Sequence, residues 1–354
     1  MDSSWHVFRI ALVNLMVAGV TPAAGQTRVV LMVADGAGDG HWTIGAHSIG
    51  NLAVQHFPVL GLIDTRGANH IVTESAAAAT AYSIGMQTFP GALGVGPDSQ
   101  PHQTVLEIAK ERGMATGLVT TTMLTDATPA AFVTHSPNRS HAVAARFLAG
   151  AGVDVLLGGG RIAFAQVAGP DSRPLLSTME QRYTYVETAD ELKALRLNRV
   201  RSLLGLFAEQ AMDLGFARSP SLADMTRAAL EVLDQNPRGM FLLVENEETD
   251  TQAHKNQPYE IIAAEMVAFD DAVRVAAEYQ QRHGETLVVV LGDHETGGLA
   301  LQPDSTGAVV TRYTTTGHTA AMVPVFAIGP RAERFGGIMT NSRVGELLRA
   351  AVQR

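Results

Sequence analysis

The chain has 354 residues, 46% of them hydrophobic and 17% charged, which excludes a disordered polymer and is ample for a packed core. Lys plus Arg number 26 against 35 Asp plus Glu, a net charge of −9 that disfavours nucleic acid as a partner, because phosphate backbones demand clustered cations. There is no cysteine, so disulfides, thiolate metal sites and a cysteine nucleophile are excluded, and any metal must be held by His, Asp and Glu.

In chain order, His6 and Arg9 precede an apolar stretch from Ile10 to Val20, followed by Thr21-Pro22-Ala23-Ala24-Gly25. That order reads as a signal peptide over residues 1–25 with a cut near Gln26, giving a periplasmic or secreted chain with no stable membrane association after cleavage. An apolar stretch of 11 residues is short for a membrane span, which needs about 18 or more. An uncleaved anchor or a frayed cytoplasmic N-terminus are the plainer alternatives.

Apolar runs then recur at Val29 to Val33, Ala115 to Thr120, Val153 to Leu157, Met240 to Val244, Leu287 to Leu291 and Val323 to Ile328, separated by segments long enough for helices. Continuous apolar strands suit a sheet buried on both faces, so the pattern predicts an α/β fold: a three-layer sandwich around a mostly parallel sheet. Between about residues 165 and 222 the composition turns to charged helix formers, including Arg182, Glu187, Glu191, Lys193, Arg196 and Arg199. This stretch reads as a small cap insertion, with an ordinary pair of surface helices as the alternative.

Polar residues gather after the strands. Asp35 follows the first, Thr121 to Thr128 the second, Glu245 the fourth, and Asp293-His294 the fifth. In open α/β sheets the carboxyl ends of the strands share one edge, where ligands bind. Each acid alone reads as a turn or helix-cap residue. Several carboxylates in one crevice repel one another, so either their pKa values rise or cations neutralise them. Asp250 and His254, spaced i, i+4, share one helix face as a single metal ion requires, although such pairs also occur on solvated helices. Asp293 to Gly298 adds a turn with two glycines, and His318 supplies another imidazole before the last strand. The other nine histidines, His135 among them, read as surface or core residues.

Thr73 to Ala81 reads as a helix start with Ser75 near its N-terminal end. Ser75 is then either an N-cap or a nucleophile activated by the helix terminus and a neighbouring metal. Arg139 offers a planar fork for two phosphate oxygens, where exposure without a role is the plain alternative.

Six ordered blocks carry a family resemblance: Asp35-Gly36; Val72-Thr73-Glu74-Ser75 through Gly85; Asp126-Ala127-Thr128-Pro129-Ala130-Ala131 ending at Arg139; Glu245 to His254; Asp293 to Gly298; and Gly317-His318-Thr319. Together they resemble the alkaline phosphatases, over about Val29 to Pro330, so that residues 26–354 form one catalytic domain with its cap insertion. The resemblance implies two zinc ions and one magnesium. Asp250, His254 and His318 would hold the first zinc, and Asp35, Asp293, His294 and the Ser75 oxygen the second. Asp35 would bridge to magnesium, ligated by Thr128 and Glu245, with Asp126 acting through water.

Ser75 would be the nucleophile and Arg139 the phosphate clamp in the hydrolysis of small-molecule phosphate monoesters, with activity rising with pH. Two departures stand out. Thr251 occupies a position where the family often has Lys or His, and Glu74 replaces the usual Asp, its longer arm expected either to meet Arg139 or to shift it. A homodimer is left open. Competing readings are a diesterase or sulfatase on a related bimetal scaffold and a non-catalytic zinc or phosphate binder of the periplasm.

Overall fold

The computed structural model describes residues 27–353; the segment read as a signal peptide lies outside them. Ten strands form the central sheet. They are β1 (Thr27–Ala34), β2 (Val59–Asp64), β3 (Ala115–Met123), β4 (Val155–Gly159), β5 (Thr184–Val186), β6 (Leu203–Leu206), β7 (Gly239–Asn246), β8 (Thr286–Gly292), β9 (Val323–Ile328) and β10 (Gly337–Thr340). Their spatial order is β10-β2-β9-β8-β1-β7-β3-β4-β6-β5. Every pairing is parallel except those of β9, which runs against both β8 and β2.

Alternation along the central strands divides the core in two. Val29, Leu31 and Val33 face one side with the helices Ser75–Ile84, His141–Ala151 and Asn341–Val352. Val30, Met32 and Ala34 face the other with Asp39–Ile49, Leu222–Leu233 and Tyr259–Arg282. This is the three-layer sandwich expected from the continuous apolar runs, because a strand covered on both faces has no position that tolerates water. Among the described residues no helix is long and apolar enough to cross a membrane.

The segment 165–222 differs from the expected cap. It contributes β5 and β6, which pair in parallel with each other and onto β4, and so extends the sheet rather than standing apart from it. Leu203–Leu206 is fully buried, but four residues inside a charged stretch give too short a run to stand out as a strand. Strands β2 and β10 were missed for a related reason: they lie at the other side of the sheet, half exposed, β2 alternating and β10 only four residues long, so neither runs continuously apolar.

Candidate active site

Register sets the floor of the site. Val33 pairs with Glu245, Glu245 with Thr120, and Ala34 with Gly292, so the next residues after β1 and β8, Asp35 and Asp293, leave the sheet side by side. The Asp35 amide continues the ladder to the Asn246 carbonyl at 3.0 Å, and Asp293 Oδ1 accepts the Gly36 amide at 2.9 Å. Gly36 has φ +70°, and a Cβ there would lie 2.6 Å from Asp250 Oδ1. Only glycine lets the Asp250 carboxylate approach the Asp35 turn so closely.

The serine helix resolves one ambiguity. Its N-cap is Glu74, whose carboxylate accepts the Ala76 and Ala77 amides at 3.0 and 2.8 Å and the Gly91 amide at 2.9 Å. Ser75 is therefore the first helical residue, free of capping duty, with Oγ 3.3 Å from His294 Nε2. Glu74 makes no bond to Arg139, contrary to one of the two expectations from sequence; Arg139 pairs with Asp126 instead. Asp126 in turn caps the short helix Ala127–Ala130 and accepts from Thr122 Oγ1 at 3.0 Å.

Two donor groups adjoin this serine. In the first, His254 Nε2 lies 3.1 Å from Asp250 Oδ2 and 3.1 Å from His318 Nε2. The i, i+4 spacing on the helix Glu248–His254 presents the first two. A two-residue antiparallel ladder, Thr296 with His318 and Glu295 with Thr319, delivers the third. In the second group, His294 Nε2 lies 3.4 Å from Asp35 Oδ1 and 3.3 Å from Asp293 Oδ2. Asp250 belongs to both: one ligand atom each from Asp250, His254 and His318, and likewise from Asp35, Asp250 and His294, lie within 4.8 Å of one another. Beyond them, Thr128 Oγ1 donates to Asp35 Oδ2 at 3.4 Å and Glu245 accepts from Thr120 Oγ1 at 2.5 Å.

The electrostatics are those of a carboxylate cluster short of positive charge. Burial, then repulsion from Asp293, Asp250 and Glu245, pushes Asp35 far above the usual carboxylate range. Burial pushes Glu245 up to about 8. Burial opposes the charge on Asp250 too, yet the bond from His254 and the nearby His294 and Thr296 hold it well below its ordinary value, while His254 rises to about 9 chiefly through its bond to Asp250. Asp35 Oδ1 and Asp293 Oδ2 are buried without a hydrogen-bond partner. Unpartnered carboxylate oxygens beside imidazole nitrogens are the donor set of a zinc-like cation, and the hydroxyl and carboxylates of Thr128, Glu245 and Asp126 suit a harder one such as magnesium.

A cavity of about 230 Å³ opens over these groups, lined by Asp35, Ser75, Asp126, Thr128, Arg139 and Glu245 together with Asp250, His254 and His318. Asp293 and His294 are wholly buried beside it, and among the described residues no side chain of 165–222 lines it.

The family model of the alkaline phosphatases, described as "Alkaline phosphatase", matches residues 27–312. The chain belongs to the alkaline phosphatase family. It is a phosphatase, and it is 32% identical to alkaline phosphatase H of Pseudomonas aeruginosa over 92% of this chain and 84% of that one. It is equally 32% identical to a streptomycin-6-phosphate phosphatase of Streptomyces griseus, covering 94% and 91% of the two chains. The alkaline phosphatase of the Antarctic bacterium TAB5 superimposes with a TM-score of 0.85 at 30% identity, covering 93% of this chain and 98% of that one. A TAB5 variant with magnesium bound in its M3 site superimposes with a TM-score of 0.83 at 29% identity, with the same coverage.

One cavity residue of this alkaline phosphatase escaped the sequence reading. Glu247 lines the cavity and accepts from Thr251 Oγ1 at 2.5 Å, and burial raises it to about 8. Its only signal was the acidic run Glu245-Asn246-Glu247-Glu248 after a strand. His41 is fully buried, both ring nitrogens lacking partners, and burial lowers it to about 4, so it is neutral near pH 7. His135 is bound to the Gly94 carbonyl and to Glu107, away from the site.

Proposed function

We propose that this phosphatase is a metal-dependent phosphomonoesterase of broad specificity working through a phosphoserine on Ser75, with two zinc ions and one magnesium. The carrying observation is Ser75 itself: its cap has been taken over by Glu74, and its hydroxyl, within reach of the buried His294, lines the same cavity as Asp35, Asp250, His254, His318 and Arg139. By this reading Asp250, His254 and His318 hold one zinc, and Asp35, Asp293, His294 and Ser75 Oγ the other. Thr128 and Glu245 hold the magnesium, with Asp126 acting through water.

When bound, the cations supply the positive charge that favours an ionised serine oxygen and steadies the departing oxygen. Ser75 Oγ forms its bond to phosphorus as the bond to the alcohol oxygen breaks; the serine proton goes to solvent and the alcohol leaves with a proton from water. A water then attacks phosphorus and gives up a proton to solvent as the bond to Ser75 Oγ breaks; Ser75 Oγ takes back a proton, and inorganic phosphate is released. Arg139, one arm held by Asp126, turns its planar fork toward the phosphoryl oxygens. The open cavity with polar walls supports a range of small phosphate monoesters, and the apolar stretch Ile10 to Val20 supports export.

Ser75→Ala should abolish phosphoenzyme formation from a labelled monoester and cut turnover by about 10³-fold or more, with metal content unchanged. Unaltered turnover removes Ser75 from the mechanism, and hydrolysis that survives exhaustive chelation removes the metals. Faster turnover of a phosphodiester or sulfate ester than of a monoester would transfer the site to that class.

A further inference from the structure

Behind the cavity floor lies a buried polar network that the proposed chemistry does not use. Asn246, the last residue of β7, follows Glu245 directly. Its carbonyl accepts the Asp35 amide at 3.0 Å and Thr249 Oγ1 at 3.1 Å, and Thr249 Oγ1 also donates to the Asp35 carbonyl at 2.5 Å. Its side chain is held at both ends: Oδ1 accepts from Thr121 Oγ1 at 3.1 Å, and Nδ2 donates to the Glu265 carbonyl at 3.0 Å and to Glu265 Oε2 at 3.4 Å. Thr121 Oγ1 also accepts the Glu247 amide at 3.0 Å.

Glu265, in the second turn of the helix Tyr259–Arg282, makes an ion pair with Arg218 at 3.0 Å, the two side chains being 0% and 1% exposed. Glu265 Oε1 accepts the Gly215 amide at 2.6 Å, Arg218 Nε donates to the Asp213 carbonyl at 3.0 Å, and the Met212 amide reaches the Thr121 carbonyl at 2.9 Å. The end of the 165–222 segment is thereby tied through one buried ion pair to Asn246, which follows Glu245 and has one residue between it and the Asp250 helix.

Stability alone does not account for this arrangement. Desolvating two charges costs several kcal/mol per ion, and replacing such a pair with apolar side chains of similar volume is often neutral or stabilising. What the network does fix is the position of Asn246, and with it the backbone of Asp35 and Glu245. A six-coordinate cation with ligand distances near 2.0–2.1 Å tolerates little movement of its donors.

We infer that Arg218 and Glu265 are positioning residues which, through Asn246 and Thr121, set the spacing of Asp35 and Glu245 for the harder cation. The inference rests on the metal-dependent reading of the site. The Asp250–His254–His318 group is less dependent on the network, because two of its members are fixed on one helical turn and the third by the Thr296–His318 ladder.

The test is calorimetric titration of magnesium into the zinc-loaded full-length enzyme, alongside zinc content, melting temperature, kcat and KM. The double variant R218M/E265M should melt close to the parent and retain its zinc. It should bind magnesium about 10- to 100-fold more weakly, with kcat falling at limiting magnesium, recovering at excess, and KM unchanged. Should that variant fail to fold, Thr121→Val, which cuts the link to Asn246 without leaving a buried charge unpaired, decides the matter with at least a several-fold loss of magnesium affinity. Magnesium affinity within threefold of the parent in R218M/E265M, or in Thr121→Val if only that variant folds, overturns the inference. A parent enzyme that binds no magnesium would overturn the three-cation reading itself, a result distinct from parent and variants binding equally.

Discussion

The two donor groups that share Asp250 are built on opposite principles. Around His294 everything is sealed: His294, Asp35 and Asp293 are 0 to 2% exposed, and two of their carboxylate oxygens have no hydrogen-bond partner. Around His254 the chemistry is open. Its side chain is 38% exposed, its second nitrogen bonds the Thr316 carbonyl, and it already has Asp250 as a counter-ion. The sealed group has negative charge in excess and little dielectric relief, so the fold leaves it dependent on cations. The open group is balanced without them and faces the solvent from which an exchangeable water or alcohol would come. In the proposed mechanism this difference would divide the labour within the site, with charge held on one side and ligand exchanged on the other.

The sharpest way to break this comparison is to remove one donor from each group. Asp35→Asn should lower turnover by about 10³-fold and not recover with added zinc, since the lost donor is sealed in the floor. His254→Ala should cost less, about 10²-fold, and recover in part with excess zinc, because water can take the vacated position. Equal losses and equal rescue, measured by steady-state rates against free zinc concentration, would erase the distinction.

A second comparison uses pH. In the chelated chain Glu245 titrates near 8 instead of its ordinary 4.5, and His254 near 9 instead of 6.5. Both folded values are raised, so the folded state binds more protons than the unfolded one between the ordinary and the shifted values. Their contribution to stability is complete below the ordinary values and is lost as pH rises, from about 4.5 to 8 for Glu245 and from about 6.5 to 9 for His254. Chelated protein should therefore melt at progressively lower temperature from pH 5 to 9, and the gap to metal-loaded protein should widen, because cations take the places the protons vacate. A melting curve for chelated protein that rises through this range would contradict the view of the sealed group as charge-starved.

The smallest expected effect is at the mouth. Thr251 donates to Glu247 at the position where the family resemblance leads one to expect Lys or His, so Thr251→Lys should tighten inhibition by inorganic phosphate about 3- to 10-fold and leave kcat within threefold of the parent. Product inhibition constants measure it directly, and an unchanged constant would place Thr251 outside the reach of phosphate.

How much of this was legible beforehand varies with the range of the interaction. The continuous apolar runs identified six strands, because burial on both faces leaves a mark on every residue. The i, i+4 spacing of Asp250 and His254 was legible for the same reason: a helix places them together whatever surrounds it. The two strands within 165–222 were not legible, since strands of three and four residues at a sheet edge carry too little pattern. Glu74 could not be assigned either: whether its arm reaches Arg139 or its own helix depends on where the Gly91 loop lies, and that is tertiary.

By itself, the sequence determined the chemistry available to this protein: no thiols, an excess of acids placed after strands, three imidazoles within reach of them, and a serine at a helix start. Which donors meet was decided only by the fold. Ser75 and His294 are 219 positions apart, and Gly36 and Asp293 are 257 apart. They become neighbours because β1 is inserted between β7 and β8 with their ends in register. A helical turn or an alternating strand is local and is written in neighbouring residues, whereas strand order minimises exposed apolar surface over the whole chain, and no short stretch of residues records it.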